Sequence, residues 1–196
     1  MDAGREGSRD SGGVVESWHA MIYMVDHVYT EPATETAWHE WYAGYLRKLI
    51  SVPGIQSAQR FKAVGRAPSR YLAMYSIESE DVYTSEAYKD IGGGGSQSAR
   101  FHHAYQLWTR NLFEGASKAP VVQDGQRVLA FDREERGAHG ELVPLESRAL
   151  WLHAVGLHMT TKYRALVVLD AGEAEPIPSV PGSCVYEPFT TALAAQ

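Results

Sequence analysis

Histidine and tyrosine carry the chemistry this sequence could do. Of its eight histidines, His19, His27, His102, His103 and His153 sit in apolar, strand-like context. Imidazole titrates near neutrality, which suits proton transfer on small organic acids and phenols. Reading Phe101 to Phe113 as a strand puts Phe101, His103, Tyr105, Leu107 and Thr109 on one face. His102, Ala104, Gln106, Trp108 and Arg110 take the other. His103 and Tyr105 then form a same-face pair, a general base beside a proton donor. His102 is the choice if the strand is turned the other way. Further upstream, Tyr23 and His27 share a face and Asp26 takes the opposite one. An acid or base at such a strand end can serve a barrel mouth, or simply be solvated. Arg60, between Gln59 and Phe61, could clamp a carboxylate through paired hydrogen bonds or sit in an ion pair. Trp41 and Tyr45 belong to an aromatic stripe. Walls of that kind suit a planar, mostly apolar ligand, although such stripes more often form core.

Other chemistries find little support. His102 and His103 are adjacent and point apart on a strand, and so do His153 and His158. No histidine pair has helical i, i+4 spacing with a carboxylate. No metal or other cofactor is therefore implied. Haem needs one axial histidine and a large apolar cavity, which the composition admits. Gly92 to Gly95 lacks the Lys-Ser/Thr of a phosphate loop. Cys184 is the single cysteine, so no internal disulfide and no cysteine-rich zinc site can form. A net charge of −6 argues against nonspecific nucleic-acid binding, which needs a basic face. No apolar run approaches the roughly 18 residues of a membrane span. Met1 to Gly13 is polar and lacks the apolar centre of a secretory signal. A cytoplasmic protein with a flexible tail over residues 1–16 is expected.

These side chains need a scaffold, and 196 residues with 44% hydrophobic content suffice for one core. Trp18 to Tyr29 reads as a strand whose two alternating sets are both largely apolar, so both faces should be covered. Pro32 suits a first helical turn. Trp38, Trp41, Tyr42, Tyr45, Leu46 and Leu49 then recur at helical spacing, until Val52-Pro53-Gly54 stops the helix. Ile55 to Val64 and Arg70 to Glu78 read as a hairpin. Ser79-Glu80-Asp81 opens a short helix running to about Ile91, and the Phe101 strand follows. The order β-α-β-β-α-β over residues 17–115 is the split, ferredoxin-like unit. An α+β class follows, and the unit's bare apolar face must be buried.

Residues 116–196 read as mostly β. Strands are expected over Gln126 to Arg133, Leu150 to Thr160, Tyr163 to Asp170 and Cys184 to Thr191. Pro144 to Leu152 could instead begin a helix. This half could be a degenerate second copy that covers the sheet within the chain, or it could decorate a unit that dimerises. A homodimer is expected, because no clear match to the first helix is visible here.

The run Trp38-His39-Glu40-Trp41-Tyr42, with Pro53-Gly54 eleven positions on and Arg60-Phe61 in the next strand, resembles the dimeric α/β-barrel superfamily, and within it EthD-like members. The resemblance spans about Trp18 to Glu114. It implies an α/β barrel of facing sheets with a pocket between sheet and first helix. Members include cofactor-free monooxygenases, lactone isomerases, polyketide cyclases and haem-degrading enzymes. Where many EthD-like helices carry a histidine, this chain has Tyr45. With the histidines and tyrosines above, the expectation is a cofactor-independent lyase, isomerase or hydrolase acting on a small aromatic or lactone-type catabolic intermediate. A cofactor-free or haem-assisted monooxygenase is the first alternative, and a non-catalytic ligand-binding module the second.

Overall fold

The computed structural model describes residues 20–137, 139–173 and 180–196. The expected tail, Trp18, His19 and part of the loop between Ala171 and Gly182 lie outside the described residues. The elements are β1 (Met21–Tyr29), α1 (Pro32–Leu49), β2 (Ile55–Ala63), β3 (Tyr71–Ile77), α2 (Glu86–Asp90), β4 (Tyr105–Glu114), β5 (Arg127–Arg133), β6 (Leu150–Leu157), β7 (Tyr163–Leu169), β8 (Ser183–Pro188) and β9 (Leu193–Ala194). The strands run β3-β1-β4-β6-β7-β5-β8-β2, and a β2–β3 pairing closes the circle. The result is an eight-stranded antiparallel barrel in an α+β fold, with β9 added alongside β2. No helix among the described residues is long and apolar enough to cross a membrane.

Alternation along β1 sets two cores. Ile22 and Met24 point into the barrel, where Phe61, Leu72, Met74, Phe113, Leu152 and Leu166 meet them. Val25 and Tyr29 point outward, under α1. β1 is therefore covered on both faces, as its two apolar sets require. α1 starts with Pro32 in its first turn, carries Glu35 there, and ends with Arg47 and Lys48, charges that suit the helix dipole. Its buried stripe is Trp38, Tyr42, Leu46 and Leu49.

Within the first half the strands lie in the order β4-β1-β3-β2, and within the second β8-β5-β7-β6. β2 pairs with β8 and β4 with β6, so the two halves close on each other. Of the two coverings that the sequence left open, the second half of the same chain supplies one.

Three local departures from the sequence reading matter for function. Residues 99–104 form a 3-10 segment, so β4 begins at Tyr105 and not at Phe101. Phe101 and Ala104, three apart, both turn into the core and leave His102 and His103 outside, as a threefold repeat demands. Next, the β1–β4 register shifts between Asp26 and Val28, opposite Leu107, which has φ 48°. This bulge breaks alternation. Tyr105 pairs with Tyr29 and Arg110 with Val25, so both face α1. Finally, Gly140–Arg148 is a 3-10 segment containing Pro144, with Leu142 buried against Leu129 and Phe131. It is not the α-helix that Pro144 suggested, and Leu150 already belongs to β6.

Gly115, just after β4, has φ +114°, and a Cβ there would stand 2.5 Å from the Trp151 carbonyl oxygen. Both backbone strain and backbone contact oppose a side chain. Gly115→Ala is expected to destabilise the fold by about 1–3 kcal/mol, read as a lower denaturant midpoint at unchanged slope. An unshifted midpoint would show that the turn relaxes freely.

Candidate functional site

A cavity of about 80 Å³ lies between α1 and the outer face of the first-half strands. β1 supplies Tyr23, Val25 and His27, and β3 supplies Tyr75. β4 gives Tyr105, Trp108 and Arg110, and α1 gives Trp41, Tyr42 and Tyr45. Tyr83 and Tyr88 close one side, and Gly92, Gly94, Gly95 and Ser98 form part of the rim. Among the described residues, the lining holds seven tyrosines and no carboxylate. Burial pushes the Tyr23, Tyr75, Tyr83 and Tyr105 phenols above their ordinary value. They stay protonated and serve as hydrogen-bonding groups. Tyr42 and Tyr75 share a 2.9 Å hydroxyl contact. Trp38 Nε1 donates to the Tyr105 hydroxyl at 2.9 Å, which leaves the Tyr105 proton free to donate.

His27 is the unusual member. Its residue is 2% exposed, and neither ring nitrogen has a hydrogen-bond partner. Four aromatic rings hold it: Trp38 at 5.1 Å, Tyr105 at 5.7 Å, Tyr71 at 6.0 Å and Tyr42 at 6.1 Å between centroids. Burial, and then the nearby Arg60 charge, hold its pKa down to about 3. The imidazole is neutral across physiological pH. A buried polar group left unpaired costs about 1–3 kcal/mol, and such expense is characteristic of sites that await a ligand.

Arg60 stands against Trp38 and Tyr42 rather than in the lining. It is fully buried, with its guanidinium 3.9 Å from the Tyr42 ring, 4.6 Å from Trp38 and 5.4 Å from Phe189. Nη2 donates to His39 Nδ1 at 3.3 Å, while Nε and Nη1 have no partner. Burial and Arg60 lower His39 to about 4. With Nδ1 accepting, His39 Nε2–H donates to the Tyr71 hydroxyl at 3.2 Å, and Tyr71 donates to Glu35 at 2.6 Å. The chain Arg60–His39–Tyr71–Glu35 fixes that tautomer.

Comparison with known proteins gives no match among protein-family models or curated protein sequences. Solved structures do match. An anthrone oxidase-like protein superposes with TM-score 0.57 at 11% identity, over 92% of this chain and 94% of its own. A protein designated a monooxygenase from Fusobacterium nucleatum subsp. nucleatum gives 0.53 at 10%, over 91% and 96%. One designated a chlorite dismutase gives 0.52 at 9%, over 88% and 95%. The chain shares their fold. These likenesses show the fold alone, an antiparallel α+β barrel, and kinship with EthD-like members is not shown.

Of the residues singled out from sequence, the structure gathers His27, Tyr23, Tyr105, Trp41 and Tyr45 around the cavity, with Arg60 behind. His102 stands near the rim, its Nε2 2.6 Å from Ser98 Oγ. His103 lies outside: its side chain is 58% exposed and pairs with Glu31 at 3.3 Å. The 3-10 turn, not the strand assumed for it, decides that position. Asp26 points the other way, into the barrel, where Arg164 holds it at 2.8 Å. It borders a separate cavity of about 250 Å³ with Asp132 and Cys184. Arg110 was missed. Strict alternation places it opposite Tyr105, and the bulge brings both to the cavity. Its Nε is buried without a partner, and its Nη2 lies 3.4 Å from His158 Nε2.

The two depressed histidines predict a pH dependence of stability. In the unfolded chain both titrate near 6.5, whereas in the fold they stay neutral far below that. Their stabilising effect is complete above about pH 6.5 and is lost as pH falls toward 4 and 3. For His27 alone the loss from pH 7 to pH 5 should be about 2 kcal/mol. Denaturant midpoints against pH would show it, and should flatten in His27→Phe. An equal slope in that variant would contradict the assignment.

Proposed function

We propose that this chain is an enzyme for small aromatic molecules that works by proton transfer without a resident cofactor. The observation that carries this reading is the buried, neutral, unpartnered imidazole of His27 at the wall of a tyrosine-lined cavity. His27 takes a proton from a phenol or from an enolisable carbon. Tyr105, with a proton free to donate, hydrogen-bonds the oxygen where charge develops. The stacked walls from Trp41 and Tyr45 orient the ring. With a pKa of about 3, His27 is a weak base until an anion forms beside it. The developing negative charge next to Arg60 and the new imidazolium is what makes the transfer favourable.

The anion then has two fates. Return of the proton at another position gives an isomerase, and expulsion of a leaving group β to the anion, which departs with the proton held on His27, gives a lyase. Passage of its electrons to dioxygen gives a cofactor-free oxygenase, which is favoured by the likeness to an anthrone oxidase-like protein and a designated monooxygenase. Haem does not fit. The His27 ring is packed among four aromatic rings, which leaves no open space beside it for a macrocycle. We also read the first half as a ferredoxin-like unit and the second as a degenerate copy, since both order their strands alike. A homodimer is then not needed to close the barrel.

An oxygen electrode separates the two fates. With anthrone as probe, wild-type protein should consume oxygen if the oxygenase branch operates. Conversion of enolisable substrates that proceeds equally under nitrogen selects the isomerase or lyase branch. No conversion in either atmosphere across phenolic and enolisable aromatics would contradict the proposal.

A further inference from the structure

We infer that the cavity selects aromatic anions, with a ligand carboxylate docking on Arg110 while the ring lies among the tyrosines. This rests on the cavity being the active site and adds the charge of what enters it. Among the described residues, Arg110 is the one charged side chain in the cavity lining. Its neighbour His158 leaves Nε unpartnered and buried. Behind the opposite wall Arg60 adds a second guanidinium, also with unpartnered nitrogens. Arg60 is linked to the Glu35 carboxylate through His39 and Tyr71, and the described residues give it no direct ion pair. The cavity is thus a local positive well in a chain of net charge −6. Unsatisfied guanidinium N–H groups are matched by a carboxylate through charge-assisted hydrogen bonds. A cation would leave them unpaired, and a neutral amide offers a single uncharged carbonyl oxygen where a carboxylate offers two charged ones.

Isothermal titration with 2-naphthoate and its uncharged isostere 2-naphthamide tests this. The carboxylate should bind at least about tenfold tighter at low salt. Arg110→Gln should erase that preference with the melting temperature kept, and Arg110→Lys should restore part of it. Equal affinities for the two probes would overturn the anion preference and leave the aromatic cavity standing. A full preference in Arg110→Gln would overturn the docking role. Heat from neither probe would overturn both the preference and the reading of the cavity on which it rests.

Discussion

Phenylalanine at position 27 is expected to lower turnover at least about 100-fold while leaving the protein as stable as before, or more so. The two effects have one cause. The His27 ring sits among Trp38, Tyr42, Tyr71 and Tyr105 with no partner for either nitrogen. Phenylalanine fills nearly the same volume, and swaps that conserve volume are tolerated in cores. It also removes two unsatisfied polar atoms, whose replacement by apolar groups is neutral or stabilising. The base is gone, however, and no other cavity residue can take its place. Burial makes Tyr23, Tyr75, Tyr83 and Tyr105 hold their protons too tightly, and Arg110 has no lone pair to offer. Turnover and thermal melting of the same preparation check this. Lost activity with a collapsed melting temperature would instead assign His27 to packing alone.

Arg164→Met should be the most destabilising of the single changes considered, at about 3–5 kcal/mol. Arg164 crosses the barrel interior and holds Asp26 at 2.8 Å and Asp132 at 2.7 Å. The side chains of Arg164 and Asp26 are each 8% exposed, and Asp132 is 37% exposed. Without the guanidinium, Asp132 can turn to water and Asp26 cannot. Burial already raises the Asp26 pKa, against the pull of Arg164, and losing the cation raises it further. The penalty should therefore be small below about pH 4, where Asp26 is protonated in both states, and grow as pH rises. Denaturant midpoints at pH 4 and pH 8 would show it. A loss under 1 kcal/mol at pH 8 would mean that the triad is solvated. The pair Asp26→Leu with Arg164→Met should recover much of the loss, because apolar replacement of a buried ion pair is often neutral.

Periodicity made the first half legible. The stripe from Trp38 to Leu49 is α1, and the two apolar sets of β1 became two cores. What stayed hidden depends on single residues that break a period. Phe101 and Ala104 pack at threefold spacing, so His103 leaves the cavity and β4 starts later. The bulge at Leu107 turns Arg110 to the side of Tyr105, which no count along the strand can reveal. Closure of the barrel by β2–β8 and β4–β6 pairing is a long-range choice. The sequence shows both strand sets and leaves open whether they meet within one chain. His27 was visible as a strand histidine, but its isolation among four rings comes from elements far apart in the chain.

The most direct test of His27 as the base is solvent-deuterium exchange into enolisable aromatics, followed by proton NMR in the absence of oxygen. Phenylpyruvate and anthrone each carry an acidic C–H whose exchange needs only the first proton transfer. The account predicts that wild-type protein accelerates exchange of at least one of them, and that His27→Phe returns it to the buffer rate. Exchange in His27→Phe as fast as in wild type, or wild-type exchange of both no faster than in buffer, would contradict it.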